Sequence, residues 1–170
     1  MRTFCHDLAN CIPNVVRANR GKMSLDGLAE KAIELEANKV IVVERWHGGP
    51  GRISLFQVAS NGLAQVPPLM LISGIRLRRE FDGKPKRARS SVITLKAFDS
   101  SKLERVAWCL SNYFGLPVMS LDEASESHKA SMHLSVGSSR RLQITFLLLG
   151  RMIEIGPRVT LSKLIWNVTS

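Results

Sequence analysis

Lys39-Val40-Ile41-Val42-Val43-Glu44 leads through His47-Gly48-Gly49-Pro50-Gly51 into Arg52-Ile53-Ser54-Leu55-Phe56-Gln57-Val58. The first run is rich in β-branched residues and long enough for a buried strand. The middle is a turn by composition. The last run sets Ile53, Leu55 and Phe56 or Val58 among polar positions, so the pair is expected to form a β-hairpin. After Pro67-Pro68 a third strand is expected over about Leu69 to Leu77. A chain that places helical patterns on either side of such a unit is read as mixed α/β.

On the N-terminal side, Ser24 is a good helix cap and Asp26 falls in the first turn. Leu25, Leu28, Ala29, Ala32, Ile33 and Leu35 supply an apolar face. Thr3 to Ile12 predicts a shorter helix, stopped by Pro13, and Val15-Val16 a brief strand. On the C-terminal side a strand is expected over Ser91 to Lys96. A helix should follow, opened by the capping-box spacing Ser101-Lys102-Leu103-Glu104. Its inward face would be Leu103, Val106, Ala107, Leu110 and Phe114, and Gly115 would end it. Asp122 to Lys129 is polar and acidic, which suggests a surface loop or frayed turn. Strands are expected at Ser131 to Val136, Leu142 to Leu148, Arg151 to Ile155 and Arg158 to Ile165.

The two parts of the chain echo each other. Each has a helix, a hairpin-like strand pair and a final apolar strand introduced by proline, Pro68 or Pro157. The expectation is one α/β (α+β) domain over residues 1–170, built of two pseudo-symmetric halves, about 1–90 and 91–170, with mixed sheets and helices.

Length and composition suit one packed domain: 170 residues, 45% hydrophobic and 22% charged. The charge balance is unusual, with 24 Lys and Arg against 14 Asp and Glu, a net +10. Such a surface concentrates polyanions around it. The excess is local. Arg2, Arg17, Arg20 and Lys22 face only Asp7 in the first 22 residues. Arg76, Arg78, Arg79, Lys84, Lys86, Arg87 and Arg89 face Glu80 and Asp82. Arg140, Arg141, Arg151, Arg158 and Lys163 face Glu154. Clusters of that kind fit phosphate-backbone binding, and the preponderance of arginine suits bidentate phosphate contacts. Aromatic interleaving is poor, since only Phe81 sits in the strongest cluster and Trp46 beside the glycine turn. Backbone and shape recognition of folded RNA is therefore expected over base stacking.

Other classes find little support. The apolar run Ile144 to Gly150 is too short to span a membrane, and no secretory leader is expected. Cys5, Cys11 and Cys109 are odd in number, as in a reducing compartment. Cys5-His6-Asp7 puts reactive types side by side, but neighbours on a helix diverge, so the expectation is a half-buried cysteine with exposed polar neighbours. His47, His128 and His133 lack metal-ligand spacing, and no CxxC is present. Gly21-Lys22-Met23-Ser24 fails the phosphate-loop pattern, and Gly48-Gly49-Pro50-Gly51 leads into no helix. No catalytic residue, metal or cofactor is assigned.

Arg2-Thr3-Phe4-Cys5-His6-Asp7-Leu8, Ile12-Pro13-Asn14 and Asn19-Arg20-Gly21-Lys22-Met23-Ser24-Leu25 together resemble the N-terminal signature of Brix-domain proteins. Val40 to Val43 with Gly48-Gly49-Pro50-Gly51-Arg52 is similar to the family's strand and turn, and Glu154-Ile155-Gly156-Pro157-Arg158-Val159-Thr160-Leu161 to its C-terminal signature. The resemblance implies a fold like the anticodon-binding domains of some tRNA synthetases. It also implies a non-enzymatic ribosome-biogenesis factor that binds ribosomal RNA or pre-rRNA. Pre-ribosomal proteins and, in some eukaryotic members, a guide RNA would be its partners. A bare domain resembles the archaeal, cytoplasmic form; eukaryotic members act in the nucleolus. Family members usually begin with a strand and a Ser-Arg-x-Pro-Ser segment, so a mis-set start or a truncation is expected at Met1.

The RNA contacts expected on this basis are Arg2, Arg17, Asn19, Arg20 and Lys22, then Arg76, Arg78, Arg79, Lys84, Lys86, Arg87 and Arg89 as a clamp, then Arg158 and Lys163. For Asn19-Arg20-Gly21 a second arrangement carries equal weight: a turn fixed by Gly21 with Arg20 capping a carbonyl. A protein scaffold within a pre-ribosome and an RNA-modifying enzyme remain as other classes.

Overall fold

In the computed structural model, residues 1–46, 48–81, 88–96 and 101–168 are described. Their elements run α1 (Arg2–Cys11), α2 (Leu25–Glu34), β1 (Lys39–Trp46), β2 (Gly49–Ala59), β3 (Gly62–Arg76), β4 (Val92–Leu95), α3 (Ser101–Phe114), β5 (Val118–Ser120), α4 (Leu121–Ser127), β6 (Ala130–Val136), β7 (Leu142–Leu148), β8 (Ile153–Glu154) and β9 (Arg158–Ile165). Short 3-10 turns cover Arg78–Glu80 and Leu149–Arg151.

All nine strands share one mixed sheet in the order β1-β2-β3-β9-β7-β6-β4-β5, with β8 on β7. Only β4 pairs in parallel, with β5 and β6. The expected halves meet where β3 pairs antiparallel with β9, so the hydrogen-bonded sheet runs on from one into the other.

Helices cover both faces. On one, α1 and α3 bury Phe4, Leu8, Cys11, Leu103, Val106 and Leu110 against Ile53, Leu55, Ile93, Met132, Phe146 and Val159. On the other, Leu28 of α2 packs on Val42 and Phe56, and Ala124 of α4 on Val92 and Leu147. Two contacts bind the main core across the chain's halves. Tyr113, near the end of α3, donates its hydroxyl to the Val40 and Phe56 carbonyls on β1 and β2, each at 3.0 Å. The Cys11 thiol at the end of α1 lies 3.8 Å from the Ile155 carbonyl, beside Gly156 and Phe146.

The hairpin forms as expected, with Val40 opposite Phe56 and Val42 opposite Ser54. Ser24 caps α2, its hydroxyl accepting from the Gly27 N–H at 3.1 Å. Several expectations need correction. Val15-Val16 is no strand; Val16 is 75% exposed. Only Leu28, Ala29 and Ala32 of α2 are buried, while Leu25, Ile33 and Leu35 stay exposed, because the sheet meets a narrow stripe of the helix. Tyr113 takes the inward place expected of Phe114. The strand expected at Arg151 shrinks to β8.

β3 begins seven residues before Leu69 and holds Pro67-Pro68, joined by a cis bond, within it. Ile53 faces Met70 while Leu55 faces Val66, so the prolines fall in an irregular stretch of the ladder where no amide donor is required. The acidic stretch Asp122 to Lys129 is mostly helix. The Ser120 hydroxyl accepts from the Glu123 N–H at 3.3 Å, and the Glu123 carboxylate accepts from the Ser120 N–H at 3.1 Å. That reciprocal cap holds the short α4.

A Cβ at position 156 would collide with the Cys11 sulfur and stand 3.0 Å from Phe146 Cβ, in a fully buried spot. Gly156→Ala is therefore expected to destabilise the fold by about 2 kcal/mol, as overpacking does in close-packed cores. Urea unfolding should show a lower midpoint with an unchanged slope.

Candidate nucleic-acid interface

The pairing register decides which cations share a surface. Ile53 and Met70 are opposed and buried in the main core, as is Val159, with Ile75 and Leu164 packed partly against it. Met70 faces Leu164 and Ile75 faces Val159. Opposed residues lie on one face, and their immediate neighbours on the other. Arg52, Leu71 and Lys163 therefore form one row on the second face, and Arg76 and Arg158 another. This is the face on which α2 and α4 pack at opposite ends of the sheet, with the basic rows between them.

Acidic residues hold these cations in place. Glu44 faces Arg52 and is hydrogen-bonded to its Nε, with Arg20 Nη1 at 3.6 Å. The Arg52 hydrogen bond draws the Glu44 carboxyl below its ordinary range, against partial burial and with Arg20 adding to it. Arg158 forks onto Glu154, its Nε 3.1 Å from one carboxylate oxygen, and that bond raises the guanidinium pKa. Two arginines directly opposed would repel. Here Arg76 also donates to the Glu80 carbonyl at 2.7 and 3.1 Å, and the Phe81 ring lies 4.5 Å from Arg76 and 5.7 Å from Arg158. Cation–π attraction to a shared ring offsets part of that repulsion.

The expected contacts divide into two groups. Arg76, Arg158 and Lys163 lie on the sheet face just described. Arg20 takes the second of its two arrangements: its Nε donates to the Met23 carbonyl at 3.1 Å, and Gly21 sits at φ +57°. Asn19 and Lys22 beside it are exposed, as is Arg17.

The other group surrounds α1. Arg2 is exposed on the helix, and Arg17 and Arg78 act electrostatically on Cys5 and Cys11. The Arg78 N–H donates to Asp7 at 3.1 Å, Arg79 follows it, and Arg89 precedes Ser90, whose N–H donates to the Cys11 carbonyl at 2.8 Å. Lys84, Lys86 and Arg87 lie outside the described residues. The clusters thus converge on two surfaces.

Asp7 is buried, at 6% exposure, contrary to the exposed neighbour expected beside Cys5. It anchors the turn after β3, a role that its place in a polar triplet could not reveal. Burial raises the Cys5 thiol pKa, and chiefly burial pushes that of Cys11 up to about 12, so neither is activated.

Two contributors were not expected. Arg52 sits in a segment of near-neutral charge, and its alternation with Ile53 was the available signal. His133 belongs to a hydroxyl-rich cluster on the same face. Its Nδ1 lies 3.0 Å from Thr94 Oγ1, Thr94 donates to Ser131 at 3.0 Å, and Thr145 donates to the His133 carbonyl at 3.4 Å. Burial, with Lys96 nearby, holds the imidazole below its ordinary pKa.

No family model matches the chain. A probable Brix domain-containing ribosomal biogenesis protein of Aeropyrum pernix is 31% identical over 101 residues, 59% of this chain and 56% of that relative. One from Sulfurisphaera tokodaii is 32% identical over 63 residues, 37% of this chain and 36% of the relative. The matched segment thus spans about half of these relatives or less. In structure, a probable ribosomal biogenesis protein from Aeropyrum pernix superposes with a TM-score of 0.76 at 24% identity, covering 96% of this chain and 91% of that one. Mil, an archaeal Imp4-like protein, gives 0.66 at 20% identity, covering 98% and 91%. The chain is similar in sequence to archaeal Brix domain-containing proteins and has a fold of their kind.

Since the folded protein lowers the His133 pKa, the unfolded chain binds more protons there as pH falls through 6.5. Stability present above that pH is expected to be lost on acidification. His133→Gln should flatten this part of the profile, read as urea midpoints over a pH series.

Proposed function

We propose that this chain is a ribosome-biogenesis factor that grips ribosomal RNA by its phosphate backbone and acts by binding, without chemistry. The observation that carries the reading is the register of β3. It sets Arg52, Lys163, Arg76 and Arg158 on one sheet face, between the helices that cover its ends. Arg52, Arg76 and Lys163 are exposed there.

Cations already set against carboxylates and carbonyls are pre-oriented, so little side-chain entropy is lost when a phosphate takes over the contact. Arginine forks match phosphate oxygens in pairs. Asn19 and Lys22, at the entry to α2, extend this surface, and the group around α1 offers a second contact for a folded RNA wrapping the domain. The names of the relatives support ribosome assembly as the setting. Pre-ribosomal RNA and its proteins are then the partners, in the cytoplasm, or in the nucleolus if the source is eukaryotic. No described helix is long and apolar enough to cross a membrane.

Binding to a ribosomal RNA fragment should weaken steeply with salt, linearly on logarithmic axes. Lys163→Ala and Lys22→Ala should each lower that slope by about 1, uniformly across RNA sequences. Filter binding over a salt series reads both. RNA affinity indifferent to salt and to these substitutions would leave a protein scaffold as the better account.

A further inference from the structure

We infer that the end of the β1–β2 hairpin is a stacking site for a single unpaired RNA base, with Trp46 as the platform. The inference rests on the RNA reading above and adds to it a ligand unit, since backbone gripping requires no base contact.

Trp46 closes β1 opposite Gly49, and its residue is 71% exposed, the second most exposed large hydrophobic side chain described after Val16. Its direction is set by what lies beneath it. A Cβ at position 51 would collide with the Trp46 Cβ and stand 3.0 Å from its backbone nitrogen, so only glycine admits this approach. Beside it a groove of about 300 Å³ runs between the hairpin and β3. Its lining joins Trp46 and Pro50 to Gly49, Gly51, Ser73 and Gly74. Three glycines and a serine leave little side chain to obstruct a flat ring.

Charge selects the occupant. Arg45 is exposed next to the ring, and Arg52 follows Gly51 directly. Arg20 reaches the same Glu44 that Arg52 holds. Three arginines against one carboxylate leave the rim of the groove positive. Arg76 lies two residues beyond Gly74 on β3, so the groove opens toward the basic rows. An aromatic face with cations around it fits a nucleotide, the base on the indole and its phosphates on the arginines. A proline-rich peptide could also lie on a tryptophan, but it carries no charge to meet this rim.

The test measures fluorescence anisotropy of labelled oligoadenylate about ten nucleotides long, a site size in the range of single-strand binders. Wild type, Trp46→Ala and Trp46→Phe are compared, with a fully paired RNA duplex as the second probe. Trp46→Ala should weaken single-strand binding about tenfold, within the range found for stacking, and leave duplex binding unchanged. Trp46→Phe should retain most of the affinity. With the wild-type protein, abasic sites in the strand should reproduce the loss, which keeps the test independent of how the variants fold.

Equal binding of intact and abasic strands, or equal loss on strand and duplex, overturns the stacking site while leaving backbone binding in place. No RNA binding by the wild type overturns both. Trp46-dependent capture of a proline-rich peptide, with single-strand binding indifferent to Trp46, assigns the groove to a protein partner.

Discussion

The antiparallel pairing of β3 with β9 is the constraint from which the rest follows. It joins strands far apart in sequence, Leu69 to Arg76 against Arg158 to Ile165, and turns what would be two small sheets into one. The ladder shifts between Leu71 and Ile72 and again between Ile72 and Gly74, so each side of the join keeps its own apolar set facing the core. Side chains alternate with a period of two. A slip by one residue would bring Arg76 and Arg158 inward and push Ile75 and Val159 out. Burying unpaired arginines is costly enough to exclude that register.

The two faces of the sheet then take different tasks. One is closed by α1 and α3, whose apolar stripes meet a continuous layer from Ile53 to Val159. Tyr113 and Cys11 reach carbonyls contributed by distant stretches of chain, which makes the core common to both halves. The opposite face is covered only where α2 and α4 lie. Between them it carries hydroxyls, His133 and arginines, groups that need water, a carboxylate or a polyanion as partner. The pairings with Glu44 and Glu154 keep those arginines ordered while leaving the surface positive.

What could be seen in the sequence follows how local each cause is. The β1–β2 run, the Ser24 cap, the apolar stripe of α3 and its end at Gly115, where φ is +68°, all act within a few residues and appear as expected. The turn at Ser60-Asn61 went unrecognised because prolines suggested a strand start rather than a strand interior. Helix α4 hides in a polar stretch, since its cap is plain only when Ser120 and Glu123 are read as one motif. For the site, charge counting found Arg76, Arg158 and Lys163 but passed over Arg52, whose surroundings balance its charge. It also could not tell Asp7, a buried anchor, from a solvated carboxylate.

Composition and pattern alone determined a basic α/β domain with a hairpin near its start and a closing strand after Gly156-Pro157, because charge and periodicity are properties of single segments. Tertiary structure decided which strand lies beside which. From that came the split of the cations between a sheet face and the surroundings of α1, and the open position of Trp46 beside a glycine-floored groove. Strand neighbours are chosen by burial summed over the whole sheet, and no single stretch of chain carries that sum.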